Sequence, residues 1–384
     1  MKVLLLAVLS LPLLSIAAED EESSFKISGF YNLTGAKILS GSALGSSEPW
    51  NYMQWKCPCS IQNWEYTGVY EKEKGWQFDQ ESLIGLQIKK EFSPTFSATA
   101  QLVMRANNPN ENSKPTVDWA YLSWNPSADS PWTLQAGRFR IPLYYYSDYL
   151  YIGYAYPWVR PAPDVYGWPI YAYDGVNATY RHQLGESEWN VAASVWTGQF
   201  TQKNDAYYTR FYYSTPTHDK WKNIIGSYVT LSNGSIDLRA MYMQHKESVW
   251  QDGEGGTNYL LRDQPTKIMG VSANLDYKNW IVKSEFDRFE QVDKALGINN
   301  VYKYALFGVG YNWGNWTPMY TYSQYTTVAE PIEARRTHYL SLRWDFRKNT
   351  ALKLQYDISK DRSKYPYKFI GDSRVLSVSL QGTF

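Results

Sequence analysis

The sequence predicts an all-β fold, a transmembrane antiparallel β-barrel of about sixteen strands with one loop folded inward. Three observations predict it. The chain begins with an export-type leader, "MKVLLLAVLSLPLLSIAAED". It carries 34 Tyr and 17 Trp in 384 residues, yet its mean hydropathy is −0.49. It ends on a strictly alternating segment, "RVLSVSLQGTF".

The leader has one cation, Lys2, an apolar run from Val3 to Ile16, and small residues that offer cleavage at Ser15-Ile16-Ala17 or Ile16-Ala17-Ala18. It is too short to span a bilayer and lacks a stop-transfer pattern, so residues 1–18 are expected to be a secretory signal peptide. Residues 19–384 are expected to form a single barrel domain. Past the leader no apolar run approaches the roughly 20 residues a spanning helix needs. Tyr and Trp pair an apolar ring with a polar tip and settle where hydrocarbon meets water. In a closed barrel each lipid-facing apolar residue alternates with a lumen-facing polar one, which explains a polar average in a membrane chain.

Segments of about ten residues with period two support this reading. Ile84, Leu86 and Ile88 alternate with Leu83, Gly85 and Gln87; after a turn at Ser93-Pro94-Thr95, Phe96, Ala98, Ala100, Leu102 and Met104 alternate with Ser97, Thr99, Gln101 and Arg105. Asn233-Gly234 is a strong hairpin signal, and further tight turns are expected at 276–279, Gly314-Asn315 and Lys348-Asn349. Long loops are expected at 39–75, 107–115, 142–172, 201–221, 249–265, 292–299, 328–335 and 361–372. Short and long connections alternate, as in outer-membrane barrels with short periplasmic turns and long external loops. Eight long loops give sixteen strands; eighteen is the alternative count. The last strand must pair with the first, "FKISGFYNLTGAKI", because lipid tolerates no open edge.

The longest interior stretch that breaks the pattern runs from Gly137 to Tyr173 and carries Pro142, Pro157, Pro161, Pro163 and Pro169, which forbid strand pairing. A long loop this aromatic must pack against something. Its entry "GRFRIPLYYYSDY", followed by "YPWVRP" and "DVYG", resembles the trimeric proteobacterial porins of the phosphate-selective porin-like group. That resemblance implies a constriction loop at about 138–173, a homotrimer and a water-filled channel for passive diffusion of small hydrophilic solutes or ions. Phe384, with apolar residues at every second place before it, resembles the C-terminal signature that the barrel-assembly machinery reads in bacterial outer-membrane proteins. Outer-membrane lipid, that machinery and small hydrophilic solutes are the expected partners, in the outer membrane of a Gram-negative bacterium.

A channel needs charges at its narrow point. Strand parity faces Arg105, Asp118, Arg181, Arg239, Lys283, Glu285, Asp287, Arg343, Asp345, Lys353 and Asp357 inward. The expected constriction sets Asp148 and Asp164 against Arg105, Arg138, Arg140 and Arg181, with Arg160 also on the loop. For Arg138 and Arg140 the alternative is a salt bridge at the loop root. The aromatics Tyr144, Tyr145, Tyr146, Tyr149, Tyr151, Tyr154, Tyr156 and Trp158 either pack the loop to the wall or form a stacking slide for ring-bearing solutes.

The formal net charge of +1 falls to zero without Lys2, so no nucleic-acid partner is implied. Cys57-Pro58-Cys59 is too closely spaced for a metal site and has no second pair, which leaves a disulfide or two free thiols. No metal or cofactor is expected. A channel selective for sugars or organic anions remains an alternative. An outer-membrane hydrolase is a further one, but the chain has only His182, His218, His245 and His338 and no Gly-x-Ser-x-Gly or His-Glu-x-x-His motif. A structural or adhesive barrel should be narrower and filled by side chains.

Overall fold

The computed structural model describes residues 25–42, 55–107, 114–169, 171–293, 297–328, 333–364 and 370–384. The expected signal peptide lies outside the described residues. Among the described residues eighteen strands form in chain order: β1 (Phe25–Gly41), β2 (Cys59–Asn63), β3 (Gly68–Glu71), β4 (Leu83–Ser93), β5 (Phe96–Arg105), β6 (Thr116–Trp124), β7 (Trp132–Arg140), β8 (Ala172–Gln183) and β9 (Asn190–Gln202). The second half adds β10 (His218–Ser232), β11 (Ile236–Gly253), β12 (Gly256–Tyr277), β13 (Trp280–Asp293), β14 (Ile298–Tyr311), β15 (Trp316–Thr327), β16 (Ala334–Arg347), β17 (Thr350–Asp361) and β18 (Ser373–Thr383). Sixteen close into one antiparallel barrel; β2 and β3 form a separate hairpin in the first long loop. The count of sixteen therefore holds over eighteen.

Alternation sets the two faces. On β17, Leu352 and Leu354 are exposed while Lys353, Gln355 and Asp357 are buried. This is the reverse of a soluble protein, and it follows from lipid outside and a packed, polar interior. The turns fall where the sequence placed them, with Gly234, Lys278, Gly314 and Asn349 at positive φ. The expected loop at 249–265 is instead strand: β11 and β12 run past the barrel rim to a tight turn at 254–255. Their ladder shifts register beside Val249, which breaks the clean alternation that reading relied on.

At the seam, Gly29 N–H donates to Phe384 O (2.8 Å) and Phe384 N–H to Gly29 O (2.9 Å). The Phe384 ring lies over Gly29, where a Cβ would stand 2.3 Å from it. The final residue thus belongs to the closure of the sheet. Above the barrel, the β2–β3 hairpin, preceded by a Cys57–Cys59 disulfide at the start of β2, packs Ile61 and Trp64 against Phe211 and Ile370 of later loops.

Candidate pore constriction

The segment between β7 and β8, residues 141–171, lies inside the barrel. Its prolines keep it out of the sheet, so its backbone groups need other partners. The wall supplies them. Lys353 Nζ donates to the carbonyls of Gly153 (2.6 Å), Tyr156 (2.5 Å) and Trp158 (2.8 Å). Arg239 donates to the Pro142 and Tyr145 carbonyls at 3.1 and 3.3 Å. Glu285 accepts from Tyr145 N–H (2.6 Å) and Tyr166 O–H (2.8 Å). Gln355 accepts from Val159 N–H at 2.9 Å, and Trp158 Nε1–H donates to Thr321 at 2.8 Å. Tyr144, Tyr146, Tyr156 and Trp158 are buried in one cluster with the wall. Tyr151 is buried beneath the first loop. Tyr145, Tyr149 and Tyr154 keep partial exposure.

The sequence-selected charges do not meet across a gap as expected. Asp164 is fully buried and pairs with Arg335 while accepting from Ser323 (2.8 Å). Arg160 is held by Glu81 and, at 3.4 Å, by Asp357. Arg140 donates to Asp118 (2.7 Å) and Glu65 (2.6 Å), which is the loop-root ion pair given as its alternative. Arg105 contacts Asp118 at 3.9 Å and stacks over Tyr151. Arg138 shares the outward parity of Trp132 and Leu134 and pairs with Asp174 at 2.8 Å, so it is not a lumen charge. Arg181 is inward-facing and exposed, two residues from the short-turn end of β8. Asp118 reaches the interior because a register shift at Gln101/Leu102 turns it and Trp119 inward together.

Asp148 differs from the rest. It stands on the short 3-10 turn Ser147–Tyr149, keeps solvent contact and makes no ion pair with a described residue. Burial among the loop tyrosines pushes its carboxyl above the ordinary range, opposed by the charges of Arg239 and Arg140. Its field reaches Tyr121, Tyr173 and Tyr228 on the facing wall. Tyr228 in turn lies within the fields of Arg239 and Arg181, with the Arg239 guanidinium 4.2 Å over its ring. The loop fills the half of the lumen walled by β13–β18 and β1, where inward side chains such as Ser323, Gln355 and Ser377 are buried. On the other half, inward residues Tyr121, Gln135, Asn177 and Tyr228 remain partly exposed. These side chains line the more open side of the interior near Asp148, although Thr179, Ser194 and Trp196 on the same strands are buried.

Sequence reasoning missed Arg335, Glu81, Glu65 and the wall tyrosines. Arg335 was assigned to a loop, though it shares parity with Tyr339 and Arg343. Nothing in local pattern marks Glu65 or Glu81, which reach the interior because the first long loop bends inward.

A family model described as Gram-negative porin matches residues 6–364. The chain belongs to the Gram-negative porin family. This porin is an outer-membrane channel for passive diffusion. Its fold is similar to the outer membrane channel DcaP of Acinetobacter baumannii, at 10% identity and TM-score 0.60, over 94% of this chain and 98% of that one. It is likewise similar to an anion-selective porin from Comamonas acidovorans, at 11% identity and TM-score 0.55, over 94% of this porin and 100% of the other. A third likeness is to Salmonella typhi OmpF in complex with daunomycin, at 12% identity and TM-score 0.55, over 94% and 97% of the two chains. No curated protein matches the porin by sequence.

Proposed function

We propose that the porin sorts small hydrophilic solutes across an off-centre gap with one acidic and one basic side. The acidic side is Asp148 on the inward loop; the basic side is Arg239 and Arg181 on the wall. The observation that carries this is that Asp148 lacks an ion-pair partner among the described residues, whereas Asp164, Arg140 and Arg160 are neutralised within the packed loop. Opposed charges in a narrow, low-dielectric passage set up a transverse field that orients polar solutes. The partly exposed Tyr145 and Tyr149 give the same gap an aromatic edge. The porin works without catalysis, as a homotrimer whose contacts lie on the β4–β9 sector, and the barrel-assembly machinery inserts it through the β18 end.

The test is the reversal potential of the purified mature porin in a planar bilayer under a salt gradient. Asp148→Asn should shift it toward anion preference and Arg181→Gln toward cation preference. Unchanged potentials in both variants would overturn the reading.

A further inference from the structure

Three loops meet across the external mouth of the barrel. The loop between β9 and β10, residues 203–217, carries Phe211, which is fully buried. Its ring centroid lies 4.9 Å from that of Trp55 and 5.1 Å from that of Trp64, both on the first long loop. Ile61 and Ile370 complete the apolar contact. Beside it, Arg210 Nη1 donates to Thr67 Oγ1 at 2.8 Å, with the guanidinium 4.9 Å over the Trp55 ring. Trp64 Nε1–H donates in turn to the Pro163 carbonyl of the inward loop at 3.0 Å. Around the ring of sixteen strands, β10 stands eight strands from β18. A loop rooted at β9 and β10 that touches Ile370, just before β18, therefore reaches across the mouth. Its root stands over the sector where Tyr121, Gln135, Asn177 and Tyr228 keep partial exposure.

Beneath this apolar clasp the same loop is held by carboxyl groups. Asp205 accepts from Tyr208 N–H (3.0 Å) and from the hydroxyl of Tyr171 (2.7 Å) at the end of the inward loop. Its own N–H donates to Thr217 O at 2.7 Å and closes the loop on itself. Glu247 on β11 accepts from the Tyr208 hydroxyl (2.5 Å) and from Gln291 on β13. Asp219 on β10 lies in the fields of both Asp205 and Glu247. All three carboxyls are fully buried. Trp221, opposite Glu247 in the ladder, packs between Tyr171 and His245, with centroid separations of 5.6 and 4.0 Å.

No cation compensates this group. The charges that act most strongly on the three carboxylates are their own and that of Glu65, and Glu65 is already held by Arg140. On the loop itself Lys203 is exposed to solvent, and Arg210 is turned to Thr67 and Trp55. Lys220 on β10 offers Asp219 its backbone N–H. His245 is buried with no partner at either ring nitrogen, which makes it neutral. The other titratable neighbours are the phenols of Tyr171, Tyr207 and Tyr208. Acids and imidazoles among the described residues do not converge on a point that could hold a metal ion. Three ionised carboxylates enclosed together would repel one another in a low dielectric. Protons remove that repulsion and turn each carboxyl into a donor.

We infer that residues 203–217 are a proton-latched lid: protonated Asp205, Asp219 and Glu247 hold the loop across the external mouth, and their ionisation releases it while the barrel wall stays intact. The Phe211 clasp supplies the attraction that draws the lid down once the repulsion is gone. Burial pushes the Asp205 carboxyl up to about 6. A raised value in the closed form means that closure is full below about pH 4 and is lost as pH rises through about 6. The lid sets how much current flows, whereas Asp148 acts on which ions carry it.

The test is single-channel conductance of the purified mature porin in a planar bilayer, in the same salt on both sides, at each pH from 4 to 8. A carboxyl at about 6 in the closed form and about 3.9 when freed changes the closed-to-open ratio by about a hundredfold once ionised. The wild type should therefore pass from a low-conductance to a high-conductance state across this range. The combined variant Asp205→Asn, Asp219→Asn and Glu247→Gln should stay in the low state at every pH. Phe211→Ala, which removes the clasp, should stay in the high state even at pH 4. A wild-type conductance that is flat with pH overturns the inference. So does a combined variant that titrates like the wild type or stands open at pH 4, or a Phe211→Ala variant that titrates like the wild type. If the combined variant fails to insert, Asp205→Asn is read alone. It should move the transition to higher pH, and an unmoved transition overturns the inference equally.

Discussion

Arg160 and Glu81 meet in a two-pronged ion pair, Nε to Oε1 at 2.5 Å and Nη2 to Oε2 at 2.6 Å, that ties the inward loop to the first long loop deep inside the barrel. Both side chains are buried. Removing Glu81 leaves Arg160 with the longer Asp357 contact at 3.4 Å, at a cost approaching the roughly 3–5 kcal/mol of breaking a buried pair. Glu81→Ala should therefore loosen the loop while the barrel stays closed. Current noise in single-channel records and protease cleavage within 141–171 should both rise; quiet, protease-resistant channels would contradict this.

Lys353 serves the same loop differently, as one cation under three carbonyls. Lys353→Met keeps the stem and removes every donor, leaving buried acceptors unmet at roughly 1–3 kcal/mol each. The expected outcome is a larger and more variable conductance, with faster amide exchange around Gly153.

Asp148 gives a pH signature. Burial raises its carboxyl above the ordinary range, so it takes up a proton at a higher pH than exposed carboxylates do. Cation preference in the wild type should fall as pH drops through that region, and the Asp148→Asn variant should lack this step. Reversal potentials from pH 7 to 4 read it directly. A titration identical in the two proteins would remove Asp148 from the conduction path.

A second pH effect belongs to the loop between β9 and β10. Asp205 accepts from Tyr208 N–H (3.0 Å) and Tyr171 O–H (2.7 Å) and sits in one enclosed region with Asp219, Glu247 and His245 from the barrel and Glu65 from the first loop. Burial pushes its carboxyl up to about 6, against about 3.9 when unfolded. A raised folded-state value means that its stabilising contribution is full below about pH 4 and is lost as pH rises through about 6. Hydrogen exchange in 203–217 should quicken over that window in the wild type. Asp205→Asn should flatten the dependence.

The seam offers a simpler check. A side chain at Gly29 would collide with the Phe384 ring and, at 2.8 Å, with Gly85 O. Gly29→Val should reduce the folded, heat-modifiable fraction on gels, and Phe384→Ala should restore part of it in the double variant.

The barrel was legible because its rule is local. Leu352 to Ile358 need only alternate, and Asn233-Gly234 need only turn. Where local rules bend, reading failed: the register shift near Val249 disguised two strands as a loop. The charged interior was less legible because its partners are distant in sequence. Arg160 finds Glu81 and Asp164 finds Arg335 only through the closed fold. The sequence marks Asp148 as a loop acid; the structure sets it, partly exposed, on the Ser147–Tyr149 turn within the fields of Arg239 and Arg140.

The loop's anchors also impose an order of events. Tyr145 is held by Glu285, 140 residues later in the chain, and Val159 by Gln381, 222 residues later. These contacts cannot exist until both β13 and β18 are in place. The narrow part of the channel therefore takes its final form only when strands far downstream of the loop have joined the wall, so its bore is a property of the closed barrel and not of the loop alone.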